Sequence, residues 1–281
     1  MPDRARTHLV LSLCGLVVAG TAQAQAQPAP APTAPVKPVA DQVAEATRAW
    51  PTLDAFERET VVLALIKADC RQATRFVRAR RRATDDADWI DGVMVSLNTT
   101  TTPAQPCLSV ITALAPSASG DTGRALVLLA AGRHATSARQ LAPLRALARG
   151  PEARLAWTAA QVHLRAPAAT TTFARALRGA SADEAEEHAR LFRYVARPEL
   201  CPLLLPWFDR KEEVGAINRG SSISGDNGMV NYTMADLATW LCRDAGLTVD
   251  GLTAGAQPPW PAGVNERMRT LVQTQARARA R

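Results

Sequence analysis

The residue types that could do chemistry are spread along this chain of 281 residues without a known catalytic spacing. The sequence has no GxGxxG, no phosphate-binding loop, no HExxH and no GxSxG, so it lacks the short patterns for nucleotide, zinc and nucleophile sites. Helical enzymes that cleave peptidoglycan need a glutamate in a cleft, commonly followed by serine, and no glutamate here precedes a serine. We therefore favour a binding role over catalysis and expect no cofactor.

The histidines beyond the N-terminal segment also point to structural roles. His163 shares a helical face with Ala159 and Ala160, and His188 lies one turn before Phe192, so both are expected at the edge of a core. His134 is expected in a polar turn, where it could titrate near neutral pH.

A long polar stretch, residues 210–232, is the best candidate for a binding site. Glycines make it flexible and hydroxyl, amide and carboxylate groups fill it, as in long loops that are either functional or disordered. The candidate binding residues are Arg219, Ser221, Ser222, Ser224, Asp226, Asn227, Asn231 and Tyr232.

Four cysteines remain once Cys14 of the N-terminal segment is set aside: Cys70, Cys107, Cys201 and Cys242. An even number in an oxidising compartment predicts two disulfides, for which three connectivities exist. Chain order favours bonding the first to the second and the third to the fourth. No pair has the CxxC spacing of a zinc site, so we expect no metal here.

Charged side chains on two neighbouring segments suggest further sites. Residues 69–82 form an amphipathic pattern in which Arg71, Arg75, Arg78 and Arg82 share one face, which is typical of a solvated surface, with an anion-binding ridge as the alternative. Aspartates follow in residues 85–97, but Ile90 occupies a ligand position of a calcium loop, so these acids are expected to favour a helix N-terminus instead.

The N-terminus has the three-part layout of a secretory signal. Arg4 and Arg6 precede an apolar run over residues 9–18, and Ala22-Gln23-Ala24 fits the small-x-small cleavage pattern. Residues 1–24 are thus predicted to be a cleaved signal peptide, residues 25–40 a disordered linker rich in proline and alanine, and residues 41–281 the folded domain. The protein is expected to be periplasmic or secreted, without a membrane span.

Composition predicts helices. Apolar residues make up 47% of the chain, much of it alanine, and alanine, leucine and arginine lose little freedom in a helix. The formal net charge of +7 suggests at most weak attraction to anionic envelope polymers. We expect no nucleic-acid partner.

Helical segments recur in pairs after a buried helix predicted near residues 124–131. The predicted segments are residues 137–149, 152–165, 167–178, 181–197, 198–209 and 233–245. Successive pairs start roughly 30 residues apart, within the period range of helical solenoids. Each pair has an apolar face that it cannot bury alone, so the pairs must stack.

Three stretches resemble HEAT repeats. LAPLRALARGPEARLAWTAAQVHL at residues 141–164 has an apolar helix, a turn with proline and an acid, and an alanine-rich second helix. LLLPWFDRKEEVG at residues 203–215 is similar to the end of a first helix, and MADLATWLCRDAGL at residues 234–247 to a second helix. The resemblance covers residues 137–250 and is interrupted in the third unit at residues 216–232.

The resemblance implies an all-α fold, an α-solenoid of stacked antiparallel helix pairs. Antiparallel packing within the third unit would bring Cys201 at the start of one helix to Cys242 at the end of the next, which supports that disulfide. The expected function is an exported binding or scaffold protein with an unidentified protein partner. The alternative is a peptidoglycan-acting enzyme with an unidentified catalytic acid.

Overall fold

The structure, a computed structural model, describes residues 37–81, 88–99, 106–218, 228–253 and 255–280. The predicted signal peptide and residues 25–36 of the predicted linker lie outside these ranges. Within the described residues no helix is both long and apolar enough to cross a bilayer.

Helices make up most of the described chain, in agreement with the predicted all-α class. The α-helices are α1 Val39–Ala49, α2 Ala55–Ala68, α3 Cys70–Arg80, α4 Asp88–Thr99, α5 Leu108–Leu114, α6 Gly120–His134, α7 Pro151–His163, α8 Pro167–Gly179, α9 Ala185–Val195, α10 Leu205–Phe208, α11 Met234–Asp244 and α12 Val264–Ala280. Short 3-10 helices cover Trp50–Thr52, Ala115–Ser117, Ala138–Leu147 and Pro198–Leu204.

Prolines explain where the predicted α-helices are replaced by 3-10 helices. Residues 137–149 were expected to be α-helical, but Pro143 lies inside the segment and cannot donate the i→i−4 hydrogen bond. Pro202 acts in the same way inside the 3-10 helix of residues 198–204, whereas Pro206 lies in the first turn of the short α10, where an N–H has no intrahelical partner.

Local capping fixes several helix starts. Asp54 and Glu57 form a capping box at α2, and Thr233 with Asp236 forms one at α11. At Ser181 only half of a capping box is present: Glu184 accepts from the Ser181 backbone N–H, while the Ser181 hydroxyl donates to the same carboxylate. Helix α9 therefore begins at Ala185 and not at residue 181.

The prediction that residues 210–232 form a loop is wrong in part. Strands β1 (Glu213–Asn218) and β2 (Met229–Thr233) pair in an antiparallel hairpin. Gly215 pairs with Tyr232, and the tyrosine ring lies so close to it that a Cβ on residue 215 would be 2.5 Å from the hydroxyl oxygen. The glycine that suggests flexibility in the sequence is required here by close packing.

The core runs between helices that are near neighbours in the chain. Helix α2 packs on α3 and α4, α4 on α6, α6 on α7, α7 on α8 and α9, and α9 on α11. As predicted, α6 is buried along most of its length, with Leu128 fully buried.

The contact between α6 and α7 is held by polar groups as well as by apolar packing. Asp121 in the first turn of α6 accepts hydrogen bonds from the backbone N–H groups of Glu152 (2.9 Å) and Ala153 (3.2 Å), so it caps α7 from a different helix. The Thr122 hydroxyl donates to the Glu152 carboxylate over 2.7 Å. Glu152 also forms an ion pair with Arg190 of α9, so this carboxylate links α7 to both α6 and α9.

Candidate functional site

One of the two predicted disulfides is present. Cys70 and Cys107 are bonded, with an S–S distance of 2.08 Å and Cα atoms 5.6 Å apart. Cys201 and Cys242 are both buried thiols in contact, and burial followed by a hydrogen bond with Cys201 raises the pKa of the Cys242 thiol. The predicted juxtaposition is therefore observed, and the bond between these two sulfur atoms stays a prediction.

The Cys70–Cys107 bond lies beside a cleft that we call the arginine cleft. Its volume is about 520 Å³, and its lining residues are Cys70, Arg71, Thr74, Arg75, Arg78 and Ser109. The walls are α3 and α5, which the disulfide links at their N-terminal ends.

Helix α3 is oriented by its cap and its buried face. The Asp69 carboxylate accepts from the backbone N–H groups of Arg71 (2.7 Å) and Gln72 (3.0 Å) at the helix N-terminus. Phe76 is buried on the opposite side and meets the Trp50 ring edge-on, with centroids 5.1 Å apart. Since that face is fixed in the core, the arginines one turn apart must point outward.

The arginine cleft offers an anion several donors, and none of its lining residues is an acid. Arg71, Arg75 and Arg78 are exposed, and none forms an ion pair with an acidic side chain of the described ranges. The fourth predicted member of the stripe, Arg82, lies outside the described residues.

The hydroxyl groups of the cleft are already engaged. Thr74 donates to the Cys70 carbonyl over 2.7 Å, and the Ser109 oxygen lies 2.8 Å from that of Thr74 and 3.3 Å from the Cys70 sulfur. Because the threonine proton goes to the carbonyl and a disulfide sulfur carries none, the single serine proton serves these contacts, and the shorter one, to Thr74, is the hydrogen bond. The donors left for a ligand are therefore guanidinium N–H groups, which favour carboxylates and phosphates.

The predicted binding loop is only partly within the described residues. Arg219, Ser221, Ser222, Ser224, Asp226 and Asn227 lie outside them. Asn231 is exposed on β2, and its amide donates to Glu213 of β1 over 2.8 Å. Tyr232 is buried and its hydroxyl donates to Glu186 of α9, so this residue anchors the hairpin to the helices.

Beneath the hairpin lies a group of polar and aromatic side chains that the sequence did not suggest. Glu186 is exposed as a residue, but its carboxyl end lies against Tyr232, and this desolvation raises the pKa of the Glu186 carboxyl, with Arg193 opposing the shift. The Arg193 guanidinium also stacks 4.8 Å from the Trp240 ring centre and lies 3.3 Å from an Asp244 oxygen.

The histidines have structural roles, and the expectation for His134 was wrong. His134 is buried at the end of α6, where its Nδ1 accepts from the Cys107 backbone N–H over 2.9 Å and burial lowers its pKa. The His188 Nδ1 lies 2.9 Å from the Glu184 carbonyl oxygen one turn earlier. In both histidines Nδ1 therefore has a backbone partner within the fold.

A cationic cluster at the ends of α6, α7 and α9 also has a structural explanation. Arg197 donates to the Val162 carbonyl over 2.7 Å, and the Arg133 guanidinium lies 4.3 Å from the Tyr194 ring centre. Cations at the C-terminal ends of helices compensate the partial negative charge of the carbonyl groups. The same dipoles would disfavour an added anion at this place.

His163 lies in this cluster and gives a pH prediction. Burial, then the charges of Arg133 and Arg197, lower its pKa to about 4. Between about pH 6.5 and pH 4 the unfolded chain protonates this imidazole and the folded chain does not, so stability is lost as the pH falls through that window. The full loss from this group is about 3 kcal/mol.

Urea unfolding at pH 7 and pH 4 would test it, with the variant His163→Gln as the comparison. We expect the variant to lose less stability than the parent over this interval, since glutamine does not titrate. Equal losses in both proteins would assign the acid sensitivity to carboxylates elsewhere.

Within the described ranges no group of three or more His, Cys, Asp or Glu side chains comes together to hold a metal ion. Comparisons of the chain with protein-family models, curated proteins and solved structures give no significant match.

Proposed function

We propose that this chain is an exported helical binding protein, a HEAT-like solenoid whose arginine cleft holds an acidic segment of a protein partner. The observation that carries this proposal is the absence, within the described ranges, of any acid paired with Arg71, Arg75 or Arg78 along one cleft. Three unpaired guanidinium groups repel one another, and an anion that lies between them removes that repulsion.

Two features of the fold support the serial stacking that a solenoid requires. Most helix contacts join elements no more than two or three steps apart in the chain. In addition, Trp207 donates to the Leu177 carbonyl and Arg210 donates to the Ala180 carbonyl. In each hydrogen bond the donor lies 30 residues after the acceptor in the chain. That offset equals the period read from the sequence, as expected when equivalent positions of successive units touch.

Export is supported by the N-terminal pattern and by the Cys70–Cys107 bond, which persists in oxidising compartments. This disulfide joins the two walls of the arginine cleft. In an oxidising compartment, where the bond persists, it therefore fixes the distance between α3 and α5.

Neutralising the arginines of the cleft tests the binding role. We expect the triple variant Arg71→Gln, Arg75→Gln, Arg78→Gln to bind a fluorescent oligoglutamate peptide about tenfold more weakly, since each exposed pair contributes about 0.2–1 kcal/mol. Fluorescence anisotropy at low and at 0.3 M salt is the measurement, and binding by the parent protein should weaken with salt.

The matched control removes the same charge elsewhere. Arg48, Arg175 and Arg178 are exposed and lie outside the cleft, so their triple glutamine variant should bind within about twofold of the parent. Equal loss in both triple variants would mean that net charge alone attracts the peptide and would reject the cleft as the site. Tighter binding of an anionic polysaccharide than of the peptide, lost in the Arg71→Gln, Arg75→Gln, Arg78→Gln variant, would replace the protein partner with an envelope polymer.

A second candidate function is peptidoglycan cleavage, and the observation that favours it is Glu186. Desolvation raises the pKa of this carboxyl, which is the direction of shift that a general acid needs. The expected result for this candidate is that the parent protein clears purified peptidoglycan in a zymogram and that Glu186→Gln does not. A parent protein that fails to clear the substrate removes this candidate.

A further inference from the structure

A second concave site lies between the 3-10 helix Ala138–Leu147 and α7, well apart in sequence from the arginine cleft. Its volume is about 380 Å³, at the low end of the roughly 300–1,000 Å³ of small-ligand pockets. We call it the tryptophan slot, and its lining residues are Ala138, Ala142, Arg145, Trp157 and Gln161.

The slot exists because two alanines face a large ring. Trp157 and Gln161 are one turn apart on α7, and Ala138 and Ala142 on the opposite wall have side chains too short to cover the indole. The Trp157 ring is therefore half-buried, with one part in the core and one part lining the slot.

The polar atoms of the slot are not used by the fold. Elsewhere, the indole N–H of Trp207 donates to the Leu177 carbonyl and that of Trp260 to the Asp236 carbonyl. The side chains of Trp157, Arg145 and Gln161 form no hydrogen bond or ion pair with a described residue. Three side chains that carry hydrogen-bond donors thus line the slot together.

The neighbourhood of the slot is basic. Residues 138–165 contain five arginines and a single acid, Glu152. That acid is already bound by Thr122 and Arg190. A ligand in the slot therefore meets uncompensated positive charge at Arg145 and is favoured if it is anionic.

We propose that the tryptophan slot binds a sugar ring that carries an acidic group. The apolar C–H face of the ring stacks on Trp157, its hydroxyl and ether oxygens accept from Gln161 and the indole N–H, and its acid group pairs with Arg145. The hydroxyl and ether oxygens of a saturated sugar ring provide acceptors for the three donor side chains that line the slot. A flat aromatic acid lacks those acceptors and could satisfy only the arginine.

Isothermal titration with a galacturonic acid trimer tests the proposal, and a neutral maltotriose of the same length tests the need for the acid. We expect the acidic trimer to bind and the neutral trimer to bind at least tenfold more weakly. Binding of phenylacetate as tight as that of the trimer would overturn the saccharide assignment, and no binding of the trimer would overturn the site.

Filling the slot provides a test that leaves Trp157 in place. Ala142 is exposed, so Ala142→Leu should fold normally, project over the indole and weaken trimer binding at least tenfold. Ala146→Leu is the matched control, because residue 146 is exposed on the same helix and does not line the slot. Unchanged binding by Ala142→Leu would overturn the proposal.

The charge contribution is separated in the same way. Arg145→Gln should weaken the acidic trimer by up to about fivefold, the contribution of one exposed ion pair, and leave the neutral one unchanged, whereas Arg149→Gln, outside the slot, should change neither. Equal losses in these two variants would show diffuse attraction and reject the slot. The triple variant of the arginine cleft should retain trimer binding. If the proposed role of the arginine cleft is wrong, the test of the tryptophan slot is therefore unaffected.

Discussion

Replacing Gly132 by alanine is expected to destabilise the protein by about 3 kcal/mol, at the upper end of the usual cost of overpacking. A Cβ at this position would lie 2.2 Å from the Tyr194 hydroxyl oxygen, 2.8 Å from the Ala160 Cβ and 3.1 Å from the Ala160 Cα. The tyrosine cannot move aside without losing its 2.8 Å hydrogen bond to the Leu129 carbonyl, and Ala160 is part of the α7 backbone. Urea unfolding monitored by circular dichroism measures the loss.

Gly179→Ala is the matched control. Nothing lies within 4 Å of a Cβ built on Gly179 at the end of α8, so this variant should be unchanged or slightly more stable. The double variant Gly132→Ala, Tyr194→Phe separates the two contacts. If the hydroxyl is the main obstacle, the double variant loses less than the sum of the single losses. Strict additivity would assign the clash to the contact with Ala160.

The close approach at Gly132 shows why the sequence predicts the elements of this fold better than their contacts. Arg124 to Ala131 reads as a buried helix because the run is almost wholly apolar, and α6 is indeed buried there. Nothing in the same run indicates that Gly132 meets Tyr194, which is 62 positions later. The spacing of apolar residues indicates which face of a helix is buried. It does not indicate which residue of another helix contacts that face, because this depends on how the helices pack.

The hairpin was missed for a related reason. β1 and β2 are only six and five residues long, and their glycine and asparagine residues are typical of loops. Pairing across the strands and the anchorage of Tyr232 on α9 supply the stabilisation that local propensity does not. A two-stranded ribbon is marginal by itself, so its neighbours decide whether it forms.

The candidate site was predictable only as a helix face. The spacing of Arg71, Arg75 and Arg78 places them on one side of α3, and the sequence could go no further than a solvated face or an anion-binding ridge. The cleft requires Ser109 of α5, which the chain brings to Thr74 from 35 residues later. The tryptophan slot likewise requires two alanines on a separate segment, and small residues give no signal of their own in a sequence.

Removing the Cys70–Cys107 bond is expected to cost about 4 kcal/mol of stability. The two cysteines are 37 residues apart, and closing a loop of that length removes a corresponding amount of entropy from the unfolded chain. The variant Cys70→Ala, Cys107→Ala should therefore unfold at a clearly lower urea concentration than the oxidised parent. Because the bond also joins the walls of the arginine cleft, the variant should bind the oligoglutamate peptide more weakly as well.

The second cysteine pair provides the comparison. Cys201 and Cys242 are buried together, so an exported protein that bonds them gains a similar loop constraint over 41 residues (242 − 201). Mass mapping of non-reduced peptides decides between bond and thiols, and four free thiols would contradict both pairings. If only the first bond forms, a reductant should lower the stability of the parent to that of the Cys70→Ala, Cys107→Ala variant. If both form, the reduced parent should fall below that variant, because the variant retains the Cys201–Cys242 bond when it is not reduced.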